Sequence, residues 1–297
     1  MVQGGRLAPV LTPEASAQET RLWAIDKLIL AYFGCCMILI LGWWSQIQYA
    51  SALFASHLAG AAVVAYQVRR PNRTTWFFRH WYPLLYVAAC YKETALFIPA
   101  IRHTQLDVWL AKLDFSIWGA NPTVALERIQ SPVLTEYLQW VYTLFVPMVL
   151  LPAFLLWRRR RYAEFQYFAF LAALGYLISY VGYLMVPARG PRFLLARLQH
   201  IPLQGLWLFD GMQRVLDHLE SVHYDCFPSG HTELTILAWW STRPFGPRLF
   251  WLSFAYTLSI IFATVYLRYH YTVDLLAGVV VAAILLAATP AIYQKWK

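Results

Sequence analysis

The chain has 297 residues, of which 60% are hydrophobic, 17% aromatic and 13% charged, and its formal net charge is +9. A soluble domain carries about a quarter charged residues and less than half apolar ones, so the composition excludes a soluble globular enzyme, a disordered chain and a secreted disulfide scaffold. It indicates an integral membrane protein with little mass outside the bilayer. The cations cluster between apolar runs instead of lining one polar face, which argues for a membrane and against nucleic acid as the partner.

Residues 1–21 are mixed and polar and read as a tail. The first apolar run, 22–46, is too long for a signal-peptide core and lacks a small-residue cleavage site behind it, so it reads as a retained anchor. Further runs follow at 51–68, 81–101, 134–157, 164–187, 228–242, 248–267 and 271–292. A membrane-crossing helix needs about 20 residues. The spacing therefore predicts an all-α polytopic transmembrane bundle of about eight spans, the sixth of them short.

Two connections are longer than turns. In 105–128, Leu106, Trp109, Leu110 and Leu113 recur at helical spacing among Asp107, Lys112 and Asp114. In 208–222, Leu208, Met212, Val215, Leu216, Leu219 and Val222 do so opposite Arg214, Asp217 and Glu220. Both predict amphipathic helices lying in the membrane interface. The cations orient the bundle. Fifteen fall in the N-terminal tail, around 69–79, 158–161 and 243–248, and at Lys295 and Lys297; eight fall in the alternate connections, and Lys92 lies inside a span. The excess predicts that both termini are cytoplasmic.

Three segments on the opposite, outer side concentrate groups suited to phosphate. Pro187–Arg192 carries Arg189 and Arg192, whose guanidinium forks match phosphate oxygens. Pro228-Ser229-Gly230-His231 opens the sixth run, where backbone N–H groups at a helix start make an anion site and Gly230 permits close approach. Ser229 serves either as the helix cap or as a phosphate contact. His270 and Asp274 open the last run four residues apart, so a helix places them on one face, where the carboxylate can hold the imidazole proton. These groups predict a route in which His270 attacks phosphorus to give a phosphohistidine and Asp274 orients it. His231 protonates the leaving oxygen and later deprotonates the acceptor. The cationic side chains neutralise the phosphate, so neither metal nor cofactor is expected.

On these residues the chain resembles the type 2 phosphatidic acid phosphatase superfamily. Pro228–His231 is similar to its second signature and His270–Asp274 to its third, and the resemblance extends over about 80–297. The first signature departs: no Lys stands six or seven residues before either arginine, and the order is Pro191-Arg192. The third lacks its upstream Arg, Thr264 standing in that place. The form without that Arg, together with Leu113-Asp114 to Trp118-Gly119 and Asn121-Pro122, is similar to the inositol phosphorylceramide synthase and sphingomyelin synthase branch. That branch moves a phospho-headgroup between lipids. The resemblance implies a lipid substrate with a lipid or water acceptor, and the division 22–79 as a transmembrane hairpin and 80–297 as the catalytic bundle.

Lys92 and Arg268 are the candidates to replace the absent signature cations. A phosphatase-type cysteine reading of Cys226 fails because Thr232 stands where that chemistry wants an Arg. His223, Asp225 and His231 fit no common zinc spacing. The rival class, a lipid or ion transporter using Lys92 and Glu93, would need a polar path along spans that are otherwise nearly uncharged. His231 stands twelve residues from Arg243, about 18 Å along a helix. With a hydrocarbon core about 30 Å thick, the imidazole is expected below the outer headgroup plane, within reach of a lipid.

Overall fold

A computed structural model describes residues 20–219 and 224–297, and among these there is no strand. The longer helices are α1 (Ala24–Gly42), α2 (Ala50–Arg69), α3 (Arg73–Ile101), α4 (Asp107–Trp118), α5 (Pro132–Thr143), α6 (Phe145–Arg158), α7 (Tyr162–Met185), α8 (Phe209–Leu219), α9 (Gly230–Ser241), α10 (Pro247–Tyr266) and α11 (Thr272–Trp296). Single turns fill several of the connections.

Six of them, α1, α2, α3, α7, α10 and α11, are long and apolar enough to cross a membrane. Taken together, α5 and α6, bent by 45° at their junction, are also long and apolar enough to cross one. The bend has a local cause: Pro147, in the first turn of α6, offers no N–H to the carbonyl of Thr143 and its ring crowds that position. The protein is thus an integral, multi-pass, all-α membrane protein.

The predicted sixth span is α9, only 12 residues long and therefore about 18 Å. It packs against α6, α7, α10 and α11, and Leu234, Leu237 and Ala238 are buried. A helix sheathed by protein has no lipid face whose length must match the bilayer. Close approach at its start is permitted by Gly278 of α11, where a Cβ would lie 2.7 Å from the carbonyl oxygen of Ser229.

The start of α3 differs from the expectation. Its cap is Asn72, whose side chain accepts from the N–H groups of Thr74 and Thr75 at 2.9 and 3.0 Å. The helix therefore begins at Arg73, and Arg79, expected in a loop, is buried inside it. Asp26 of α1 neutralises it, accepting from Nε at 3.0 Å and from Nη2 at 2.5 Å, and the Trp23 ring lies 4.1 Å from its guanidinium. At the same end, Lys27 donates to the carbonyl of Trp296 at 2.6 Å. The start of α1 and the end of α11 therefore meet on one face of the molecule.

Both predicted amphipathic helices form, as α4 and α8. On α4 the acids share the buried face with Leu110: Asp107 and Asp114 are buried, whereas Trp109 of the apolar stripe is exposed. The reason is a demand for acceptors in the loops beneath. The start of α8 is held by Glu136, whose carboxylate accepts from the N–H groups of Leu206, Trp207, Leu208 and Phe209 at 2.9 to 3.3 Å. Glu220 and Val222, and all of the tail except Thr20 and Arg21, lie outside the described residues.

Candidate active site

His270 stands in the turn before α11 and is buried. Its Nδ1 lies 2.8 Å from the carbonyl oxygen of Cys226 and 3.4 Å from Oδ2 of Asp274. A carbonyl oxygen only accepts, so Nδ1 carries the proton and Nε2 the lone pair. The tautomer is thus set mainly by a backbone oxygen. Asp274 stands behind it, its Oδ2 accepting from the Tyr271 N–H at 2.8 Å and from the Cys226 thiol at 2.9 Å. Burial, with the Asp274 charge beside it, pushes the Cys226 thiol well above its ordinary range, which makes it a donor to the carboxylate and not a nucleophile. The donor atoms of Cys226, His270 and Asp274 lie within 4.8 Å of one another, a set of metal-ligand type. Here, however, hydrogen bonds already engage the nitrogen and the carboxylate oxygen involved.

Asp114 of α4 supplies the cap of α11. Its carboxylate accepts from the N–H groups of Thr272 and Val273 at 2.8 and 2.9 Å and from the Thr272 hydroxyl at 2.7 Å. Asp107, two turns earlier, accepts from the N–H groups of Arg189 and Gly190 at 3.0 and 2.8 Å and from the Tyr271 hydroxyl at 3.1 Å. One helix face therefore positions both the His270 turn and the arginine loop. In that loop Gly190 has φ +96°, and a Cβ there would meet the Tyr269 carbonyl at 2.6 Å, so the turn requires glycine.

His231, in the first turn of α9, stacks on Tyr142 with centroids 4.5 Å apart and 27° between planes, and touches the Phe145 ring at 4.3 Å. Its ring centroid lies 5.9 Å from that of His270, at 65°. Arg189 and Arg192 line a small polar hollow with His270, Tyr142, Asp225, Cys226 and Tyr269. Phe193 flanks both guanidiniums, 4.2 Å from Arg189 and 4.8 Å from Arg192. The Arg189 Nε is buried with no hydrogen-bond partner among the described residues, a donor that a bound anion would satisfy. A second cavity, a groove of about 170 Å³ that shares Asp225 with the hollow, is lined by Ala88, Tyr91, Phe145, Val146, Tyr176, Tyr180, Tyr183, Gly230, His231 and Leu234.

The family model of the PAP2 superfamily matches residues 109–288. The chain belongs to the PAP2 superfamily. No curated protein and no solved structure matches it. Membership makes it an enzyme of phosphatase or phosphotransferase type, and the match takes in α5–α10 and most of α4 and α11 while leaving α1–α3 outside.

The PAP2 frame sorts the remaining predicted residues. His231, His270, Asp274, Arg189 and Arg192 come together. Ser229 does not join the hollow. Its hydroxyl caps α9, accepting from the Thr232 N–H at 3.3 Å, and its own N–H donates to the Asp274 carbonyl at 3.0 Å, so it is not a free anion donor. Gly230 lines the groove instead of the hollow. Arg268 turns away, pairing with Glu127 at 2.9 Å and donating to the Ile201 carbonyl at 2.5 Å; only its backbone carbonyl serves the loop, accepting from the Arg192 N–H at 3.1 Å. Lys92 is exposed on α3 and lines neither cavity. Sequence reasoning missed Asp107 and Asp114 as site-building groups, although positions 107, 110, 111 and 114 form one helical face that carries both acids. It also missed the Cys226 carbonyl, Tyr142 and the tyrosines of the groove.

Proposed function

We propose that the protein moves a phosphate-containing lipid headgroup through a phosphohistidine on His270, with transfer between lipids favoured over release to water. The observation that carries this reading is the seam at which the two imidazoles meet. His270 lines a polar hollow with two guanidiniums, and His231 lines an apolar, tyrosine-rich groove.

The Nε2 lone pair of His270 attacks phosphorus, and the bond from phosphorus to the lipid alcohol breaks. Arg189 and Arg192 hold the non-bridging oxygens, and His231 gives its proton to the departing oxygen. The Nδ1 proton stays shared with the Cys226 carbonyl while Asp274 stabilises the charge that forms on the ring. A second hydroxyl, oriented in the groove, gives its proton to His231 and displaces the imidazole, restoring the enzyme. Loss of the upstream Arg of the third signature and the apolar character of the groove support a lipid acceptor. The catalytic end lies at the start of α11, about 37 Å along a helix of 25 residues from the face where α1 begins. With that face cytoplasmic by its cations, the chemistry takes place at the outer leaflet.

The test supplies phospholipid labelled in its headgroup phosphate, with and without ceramide or diacylglycerol. Label on the acceptor lipid, and a trapped phosphoenzyme that maps to His270 and vanishes in His270→Asn, are the expected results. His231→Ala should slow turnover about 10²–10⁴-fold. Label released to water as the only product, as phosphate or phospho-headgroup, overturns transfer, and an adduct on any other residue overturns the role of His270.

A further inference from the structure

Outside the matched region, α1, α2 and α3 bring a second cluster of reactive side chains together inside the membrane-crossing bundle. The Cys36 thiol, the His57 imidazole and the Glu93 carboxylate each offer one donor atom within 4.8 Å of the others. His57 and Cys36 are buried, and the His57 side chain is fully enclosed. Its Nδ1 lies 3.3 Å from the Ser56 hydroxyl. Its Nε2 has no hydrogen-bond partner among the described residues and stands 3.5 Å from Oε2 of Glu93. The Tyr32 hydroxyl donates to that same carboxylate oxygen at 3.1 Å. Nothing in the proposed phosphoryl chemistry uses any of these groups.

Charge and geometry both point to a metal. Carboxylates inside a membrane bundle are costly unless neutralised, and the neighbouring Lys92 is exposed on another side of α3. Bonds of about 2.0–2.3 Å to nitrogen, oxygen and sulfur in a tetrahedral shell put neighbouring donors roughly 3.3–3.8 Å apart, a range that includes the His57–Glu93 separation. A thiolate, a carboxylate and a neutral imidazole around one divalent ion sum to zero charge, the arrangement an apolar interior tolerates best. A sulfur, nitrogen and oxygen donor set of this kind suits zinc among the common divalent ions.

We propose that Cys36, His57 and Glu93 hold a zinc ion, a water completing the tetrahedron, and so fasten α2, the least buried of the three helices, to α1 and α3. The ion displaces the thiol proton, which leaves to solvent, and Tyr32 acts from outside by orienting Glu93. This site stands apart from the phosphoryl chemistry and survives if that reading fails.

The experiment uses the full-length protein purified in detergent. Its zinc content is measured, then zinc is exchanged for Co²⁺ and the absorption spectrum recorded. About one zinc per chain and a near-ultraviolet thiolate-to-cobalt band are expected. Cys36→Ser should abolish the band, His57→Ala should abolish binding, and Tyr32→Phe should weaken it by about 10–100-fold, while Cys35→Ser, on the exposed neighbour, leaves it intact. Wild-type protein that takes up no Co²⁺, or a cobalt spectrum without the thiolate band, overturns the proposal. So does a band that survives Cys36→Ser. The wild-type measurement decides even where a variant fails to fold.

Discussion

A backbone oxygen sets the tautomer of His270, and this separates the roles of its neighbours. The Cys226 carbonyl takes the Nδ1 proton, while the Cys226 thiol steadies the Asp274 carboxylate. The two functions of one residue can be parted by substitution. Cys226→Ser keeps the carbonyl and replaces one donor with another, so activity should stay within a few-fold of wild type. Cys226→Ala keeps the carbonyl but removes a buried donor from Asp274, an expected loss of about 1–3 kcal/mol seen as a lower melting temperature. Abolished turnover in the serine variant would return Cys226 to the list of nucleophiles. The imidazoles, Asp274 and the arginines were legible because their types and spacings are themselves the signal. A carbonyl acceptor has no residue signature, so the group closest to Nδ1 stayed hidden. Arg268 misled for a related reason: nearness in sequence to His270 says nothing about Glu127, which holds it from 141 positions away.

At the scale of the helix, α4 shows why amphipathic patterning is read with a bias toward apolar faces. Leu106, Trp109, Leu110 and Leu113 marked the apolar stripe, yet only Leu110 of these is buried, and two carboxylates share its face because four backbone N–H groups of the site loops need acceptors. Asp114→Ala removes three of the bonds made by α4, including the cap of α11, and a lost cap alone costs about 0.5–2 kcal/mol. The variant should melt earlier and lose turnover, because the His270 turn precedes that cap. Asp114→Asn retains a carbonyl acceptor and should recover part of both. Equal damage from Ala and Asn would mean that the negative charge, and not the hydrogen bonding, is what α11 requires. The eight apolar runs were legible throughout. What they could not convey was that α9 is enclosed by four neighbours, or that Arg79 would be neutralised by Asp26 and extend α3 by two turns.

The whole molecule joins a superfamily core to a three-helix flank, and the flank is not mere ballast. Ala88 and Tyr91 of α3 form one wall of the groove beside His231, and Tyr91 donates a short hydrogen bond to Asp225, which the groove shares with the polar hollow. On the proposed reading, a lipid reaches His231 through this groove, between α3 and the core, whereas a small soluble phosphate ester needs only the arginine hollow. This difference can be measured at Ala88, an exposed small residue on that wall. Ala88→Trp narrows the passage without touching either imidazole. For a long-chain phospholipid kcat/KM should fall about tenfold, equivalent to about 1.4 kcal/mol of transition-state stabilisation, with most of the change in KM. A short, water-soluble phosphate monoester should be turned over at the wild-type rate. An equal fall for both substrates would place the effect in the chemistry itself, and no fall for either would mean that lipids enter elsewhere, leaving the tyrosine-lined groove as packing and not passage.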